Sequence, residues 1–319
     1  MEFAKNAGEK SMSTKPLNNF ANVVTQIFLG IAMLCQPAYA QKPVKIVTTI
    51  GQLTDAVANI GGDRVAVEGL MGPGVDPHLY KASESDVRKL SGADIVIYNG
   101  LFLEAKMENI FKKMGRKIKT VPVGEGIPED RLLDSEQFAG HHDPHIWFDV
   151  TLWMQVVEKI RDTLMEYDPP HRDEYAGRAA AYLEKLKGLD AMIAERAREL
   201  PDEQRVLVTA HDAFRYFGRK YNFQVMGLQG VSTQSEAGAA DVARLADFIA
   251  GRKIKAIFVE SSVPERNIRA VQEAVAARGW SVAIGGELFS DAMGTAGTFE
   301  GTYIGMVTHN LNTIVNALK

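Results

Sequence analysis

The chain has 319 residues, 46% apolar, 24% charged and 8% aromatic, with 36 basic against 40 acidic side chains. That length suits about two domains, and the composition supports a sizeable core and excludes a disordered chain. A formal net charge of −4 gives no electrostatic basis for binding nucleic acid, and a single cysteine, Cys35, excludes a disulfide framework.

Residues 1–40 have the pattern of an export signal. Lys5, Lys10 and Lys15 make a basic start, VVTQIFLGIAML an apolar stretch, and Ala38-Tyr39-Ala40 a small-x-small cleavage motif. Thr25 and Gln26 interrupt the apolar stretch, so it predicts a signal peptide rather than a membrane anchor. Cleavage after Ala40 would leave Gln41 first and, by removing three Lys and two Glu, a net charge of −5. Cys35 follows Leu34 and not the small residue that normally precedes a lipid-modified cysteine. A soluble periplasmic protein is therefore expected, with no cysteine left to ligate a metal or act as a nucleophile.

From residue 41 to 167, the apolar runs KIVTTI, AVEGLM, DIVIYNG and KTVPVGE read as strands. Between them lie the helical patterns TDAVANIGG, ended by Gly61-Gly62, and ASESDVRKLSG, capped by Ser83, while HIWFDVTLWMQVVEKIRDTLMEY reads as a loop entering a helix. This is the βαβ rhythm of a parallel sheet. Residues 168–200 differ: Asp168-Pro169-Pro170 opens a run of strong helix formers from His171 to Leu200, which Pro201 ends. A helix of about 30 residues spans roughly 45 Å. Its polar character predicts a bridge between two lobes. Beyond it RVLVTA, FQVMGLQG, AIFVESS and SVAIGGE read as strands, and HDAFRYFGRKY, EAGAADVARLADFIAGR, VPERNIRAVQEAVAARG and TYIGMVTHNLNTIVNAL as helices. The expected fold is α/β, with two (β/α) lobes (41–167 and 201–319) of parallel sheet joined by one long backbone helix (168–200).

Four side chains carry the chemistry. His78, His145, His211 and Asp291 each close an apolar, strand-like run, and α/β sheets bind ligands beyond the carboxyl ends of their strands. Three imidazoles and one carboxylate form a closed set of N and O ligands for a divalent transition metal. Such a set leaves no open coordination position, so it predicts a protein that holds a metal and is not an enzyme. The pairs divide between the lobes, which places the metal in the cleft between them. His78 and His145 share a pattern, Asp-Pro-His followed by an apolar residue and an aromatic, which predicts equivalent turns stiffened by proline.

Competing candidates are weaker. Asp291 alone reads equally well as an N-cap. His141 and His142, in AGHHDPH, are loop residues, at most an auxiliary capture site, since Gly140 and Pro144 oppose a helix there. His171 and His309 are structural or surface residues. Glu260, in FVESS, is a candidate acceptor behind a ligand imidazole, with Glu287 and Asp212 weaker versions of the same idea. There is no GxxxxGK[ST] or GxSxG motif, and VSTQSEAG reads as a loop and helix start and not as a nucleophile.

GLMGPGVDPHLY, DPHIWFDV, RVLVTAHDAF, GLQGVST, FVESSVP and GGELFSDAMG, in this order, resemble the metal-binding receptors of ATP-driven zinc and manganese importers, the cluster A-I solute-binding proteins. The resemblance covers essentially all of the chain after the signal. It implies two (β/α) lobes on one backbone helix and a ligand set of His78, His145, His211 and Asp291. It also implies one Zn²⁺ per chain, alternatively Mn²⁺, as the transported ligand. The implied partner is a membrane permease with its ATPase subunit, served by a monomeric receptor. Manganese-dedicated relatives carry Glu at the third ligand position; His211 there favours zinc. The long His-rich loop of zinc-dedicated relatives is reduced here to Gly140-His141-His142. Three rival readings are a secreted zinc hydrolase, which needs an open metal position and a general base, an adhesin that uses the fold for host contact, and a receptor for an organic solute, which calls for Arg or aromatic residues lining the cleft.

Overall fold

Strands that are apolar at every position need cover on both faces. IVIY at β3 (Ile95–Tyr98) is such a strand and VKIVT at β1 (Val44–Thr48) is buried at all but Lys45; both lie in the middle of the first sheet, whereas VAVEG at β2 (Val65–Gly69) alternates and sits at an edge. With β4 (Lys119–Pro122) they form a parallel sheet of order β2-β1-β3-β4, in which Ile46 pairs with Val67 on one side and Ile95 on the other. The computed structural model describes residues 8–10, 12 and 42–319. The export-signal reading and Cys35 lie outside these residues, apart from 8–10 and 12.

Helices α1 (Gly51–Gly61), α2 (Glu84–Ser91), α3 (Glu108–Met114) and α4 (Val150–Tyr167) connect and cover this sheet. Ser83 caps α2 as its sequence predicts: its hydroxyl accepts the Asp86 N–H while Asp86 accepts the Ser83 N–H. Asp149 caps α4 through the Thr151 N–H.

The long helix, α5, runs from Arg172 to Ala197 after a 3₁₀ turn at Pro169–His171. Its 26 residues span about 39 Å, less than the expected length because the proline pair opens a tighter turn. It is also less solvent-bridging than its composition predicts. Tyr175, Ala179, Tyr182, Leu186, Leu189, Ile193 and Ala197 are buried at spacings of three and four, one continuous stripe. That stripe packs against α1 and α4. Tyr175 and Tyr182 bury their rings and hydrogen-bond through their hydroxyls to Asp168 at 2.7 Å and Asp55 at 2.9 Å.

After α5 come β5 (Val206–His211) and β7 (Ala256–Glu260), fully buried, flanked by β6 (Gln224–Gln229) and β8 (Ala283–Leu288). The β5–β6 and β7–β8 pairs are parallel, and β5 lies beside β7. Helices α6 (Arg215–Tyr221), α7 (Ala239–Arg252), α8 (Arg266–Ala276) and α9 (Tyr303–Leu318) complete this half; α9 also packs on α5. Two boundaries differ from expectation. His211 is the last residue of β5, so α6 begins only at Arg215, and α7 begins at Ala239 with Gly238 at its cap. The main hydrophobic core draws on both halves, with Trp153 of α4 stacked on Tyr303 of α9 at 5.1 Å, and Pro43–Lys319 form one compact unit. No helix among the described residues is long and apolar enough to cross a membrane.

Candidate metal centre

The carboxyl ends of β5, β7 and β8 converge with the two Asp-Pro-His turns. His211 ends β5, Glu260 ends β7, and Asp291 follows β8 by three residues. His78 and His145 arrive on turns of one design. The backbone N–H of each histidine donates to the aspartate two residues before it, at 2.8 Å for Asp76 and 3.0 Å for Asp143. Proline between them fixes φ and stiffens the turn.

These turns and strand ends bring His78, His145, His211 and Asp291 together, all four buried, with one ligand atom from each within 4.8 Å of the others. The Nε2 atoms of His78 and His211 each lie 3.3 Å from His145 Nε2. Asp291 Oδ1 is 3.3 Å from His145 Nε2, and Oδ2 is 3.4 Å from His211 Nε2 and 3.9 Å from His78 Nε2. A tetrahedral ion with bonds of about 2.0–2.1 Å needs ligand atoms roughly 3.3–3.4 Å apart. Four of these five separations match, and the fifth, Asp291 Oδ2 to His78 Nε2, is longer at 3.9 Å. Both Asp291 oxygens are buried with no hydrogen-bond donor. A buried bare carboxylate is costly unless a cation sits beside it, so the donor set fits a divalent metal.

The ring orientations are fixed from behind. His145 Nδ1 donates to Asp143 Oδ1 at 2.7 Å, and His211 Nδ1 to Glu260 Oε2 at 2.5 Å, leaving each Nε2 facing the centre. Glu260 also accepts the His211 backbone N–H through Oε1 at 2.8 Å. No carboxylate among the described residues hydrogen-bonds the His78 ring. From below, Trp147 Nε1 donates to the Ser290 carbonyl at 3.0 Å and Gln52 Nε2 to the Asp291 carbonyl at 3.2 Å, so side chains of the first half hold the main chain of the fourth member.

Charge follows these contacts. Burial opposes a positive His145, but the Asp143 and Asp291 carboxylates outweigh it and push the imidazole up to about 9. Burial is likewise outweighed at His211 by Glu260 and Asp291, which raise it well above the ordinary histidine value. His78, lacking a carboxylate behind its ring, is pulled by burial down to about 3 despite Asp291. Burial favours a neutral Asp291, yet the His211 and His145 rings hold its carboxyl well below the usual range.

The remaining sequence candidates fall elsewhere. Glu260 takes the supporting position predicted for it. Asp212, pushed up to about 6 by burial and the Asp143 carboxylate, is not a member of the four-residue cluster, and its Oδ2 lies 3.6 Å from Arg215 Nε. The Glu287 side chain is exposed, and only its carbonyl is used, by His309 Nε2 at 3.1 Å. His171 binds Asp168 at the start of the long helix. His141 stacks on Phe102 at 4.1 Å, and His142 lies 3.3 Å from Asp134. Both line a small cavity beside His78 but stay outside the cluster. Asp291 caps no helix, since the residues after it form no regular element. Sequence reasoning missed the supporting role of Asp143, for which the repeated Asp-Pro-His was the available signal, and those of Asp76, Trp147 and Gln52.

The family described as zinc-uptake complex component A, periplasmic, matches residues 46–317. The zinc-binding protein TroA of Treponema pallidum (strain Nichols) is 54% identical over 277 residues, covering 87% of this chain and 89% of its own. The manganese-binding lipoprotein MntA of Bacillus subtilis (strain 168) is 48% identical over 280 residues, covering 88% and 91%. The solved structure of the T. pallidum periplasmic zinc-binding protein TroA superposes with a TM-score of 0.85, covering 86% of this chain and 99% of that one. The chain belongs to the ZnuA family, the periplasmic component A of zinc-uptake complexes.

Proposed function

We propose that this protein is an exported receptor that captures one divalent transition metal between its two halves and delivers it to a membrane ABC importer. His78, His145, His211 and Asp291 are the ligands. The observation that carries this reading is the convergence of three imidazole Nε2 atoms on a buried carboxylate that has no hydrogen-bond donor. Zinc is the first choice, because three nitrogens and one oxygen at tetrahedral spacing suit it, and manganese the second. The names of the relatives, zinc-binding and manganese-binding, support both ions as cargo.

Two ligands come from each side of α5, which supports a division into lobes at 41–167 and 201–319 around a backbone helix at 168–200. A cleft site divided in this way can load and unload by small movements of one half on the other. A filled tetrahedral set offers no place for a metal-bound water, so the site suits binding and not hydrolysis. The permease and its ATPase subunit are the partners, and the periplasm, reached through the signal at residues 1–40, is the compartment. A monomer suits transfer to the permease.

Calorimetric titration of the metal-stripped protein tests this reading. One tight site per chain for Zn²⁺, lost in His211→Ala, is expected. Stoichiometric binding of neither Zn²⁺ nor Mn²⁺ would overturn it and return the adhesin and organic-solute readings.

A further inference from the structure

The two Asp-Pro-His turns share a backbone design but differ in what the second carboxylate bond holds. Asp143 Oδ1 takes both the backbone N–H and the ring Nδ1 of His145. Asp76 Oδ1 takes the His78 backbone N–H at 2.8 Å, while Asp76 Oδ2 accepts the Thr233 hydroxyl at 2.6 Å, across 157 residues, from the segment after β6. The neighbouring Ser232 donates its backbone N–H to Gln137 Oε1 at 2.8 Å. Gln137 lies so close over Gly230 that a β-carbon there would come within 2.8 Å of Oε1. Residues 230–233 are thus fastened to the first half by two side chains.

Beneath this segment lies a cavity of about 10 Å³, lined by His78, Phe102, Phe138, His141, Val231 and Ser232. It has room for no more than a single water. His145 and His211 are held by carboxylates behind their rings, whereas His78, the member that lines this cavity, is held only through its backbone by Asp76. The firmness of His78 therefore depends on Asp76, and that of Asp76 on Thr233.

We propose that Thr233 is a positioning residue for His78, acting through Asp76, and that the latch these two residues form sets the rate at which bound metal leaves. This rests on the metal-receptor reading above. A hydroxyl donating to a carboxylate is a charge-assisted bond. Residues 230–233 must lift for an ion to pass the cavity beside His78, and lifting them breaks that bond.

The test loads wild type, Thr233→Val and Thr233→Ser with Zn²⁺. It follows transfer to a chromophoric chelator by stopped flow, at chelator concentrations where the rate is set by dissociation, and records the melting temperature of each metal-free protein. Thr233→Val is expected to release zinc at least about tenfold faster, and Thr233→Ser, which keeps the hydroxyl, at close to the wild-type rate. Asp76→Asn is a second variant with the same expectation should Thr233→Val fail to fold. A Thr233→Val protein that melts lower but releases zinc at the wild-type rate shows a merely structural role and overturns the inference alone. A wild type that takes up no zinc overturns the receptor reading and this inference with it.

Discussion

Replacing Glu260 by Gln keeps the shape of a buried side chain and removes the charge behind His211. Glu260 accepts two hydrogen bonds, from the His211 backbone N–H at 2.8 Å and from its ring Nδ1 at 2.5 Å. A glutamine offers one oxygen and one NH₂. If the oxygen faces the backbone, the NH₂ faces Nδ1 and forces the tautomer that protonates Nε2, which cannot then bind a metal. If the oxygen faces the ring, the NH₂ meets the backbone N–H and a buried donor goes unpaired. Losing a supporting partner of this kind lowers metal affinity by about 10- to 100-fold. That corresponds to about 1.4–2.7 kcal/mol. Competition against a fluorescent zinc chelator reads the change directly. Unchanged affinity in Glu260→Gln would refute the argument that this carboxylate sets the His211 tautomer.

Proton release is a second expectation. His145 is pushed up to about 9 and His211 is also raised, and both must be neutral to bind. Zinc binding at pH 7 should therefore expel about two protons per ion. Affinity should climb with pH until about 9 instead of levelling near the ordinary histidine value. Calorimetry in buffers of different ionisation enthalpy counts the protons, and a count of zero contradicts the charge assignment. Gly227→Ala should destabilise the protein by about 1–3 kcal/mol. The added carbon would meet the Asp212 backbone at 2.5 Å, next to His211, so thermal unfolding and zinc affinity should both fall. Because the core and the α5 stripe span both halves, metal addition should leave the radius of gyration near 19 Å, roughly the value for a compact chain of this size. A large compaction in small-angle scattering would contradict limited movement.

Much of the centre was legible because it lies where buried strands end. RVLVTA announces a strand with no exposed position, so the residue that closes it, His211, enters the interior. The Asp-Pro-His repeat announced two equivalent turns, but not that one aspartate would grip a ring and the other reach Thr233, since that difference comes from chain 157 residues away. Two strand-end carboxylates that look alike in sequence part company for a similar reason. Glu260 ends a strand buried on both faces, whereas Glu287 falls on an outward position of β8. The polar composition of the long helix hid its buried stripe, because Ala and Tyr do much of the packing. The run HDAFRYFGRKY reads as helix from its first residue, but His211 is still paired in β5 and the helix opens only at Arg215.

The central claim is that one ion sits among these four side chains, and anomalous diffraction from crystals of the zinc-loaded protein tests it most directly. The account predicts a single strong peak at the zinc edge, at bonding distance from Nε2 of His78, His145 and His211 and from the Asp291 carboxylate. A peak elsewhere, such as at His141 and His142, with none among the four, would contradict it.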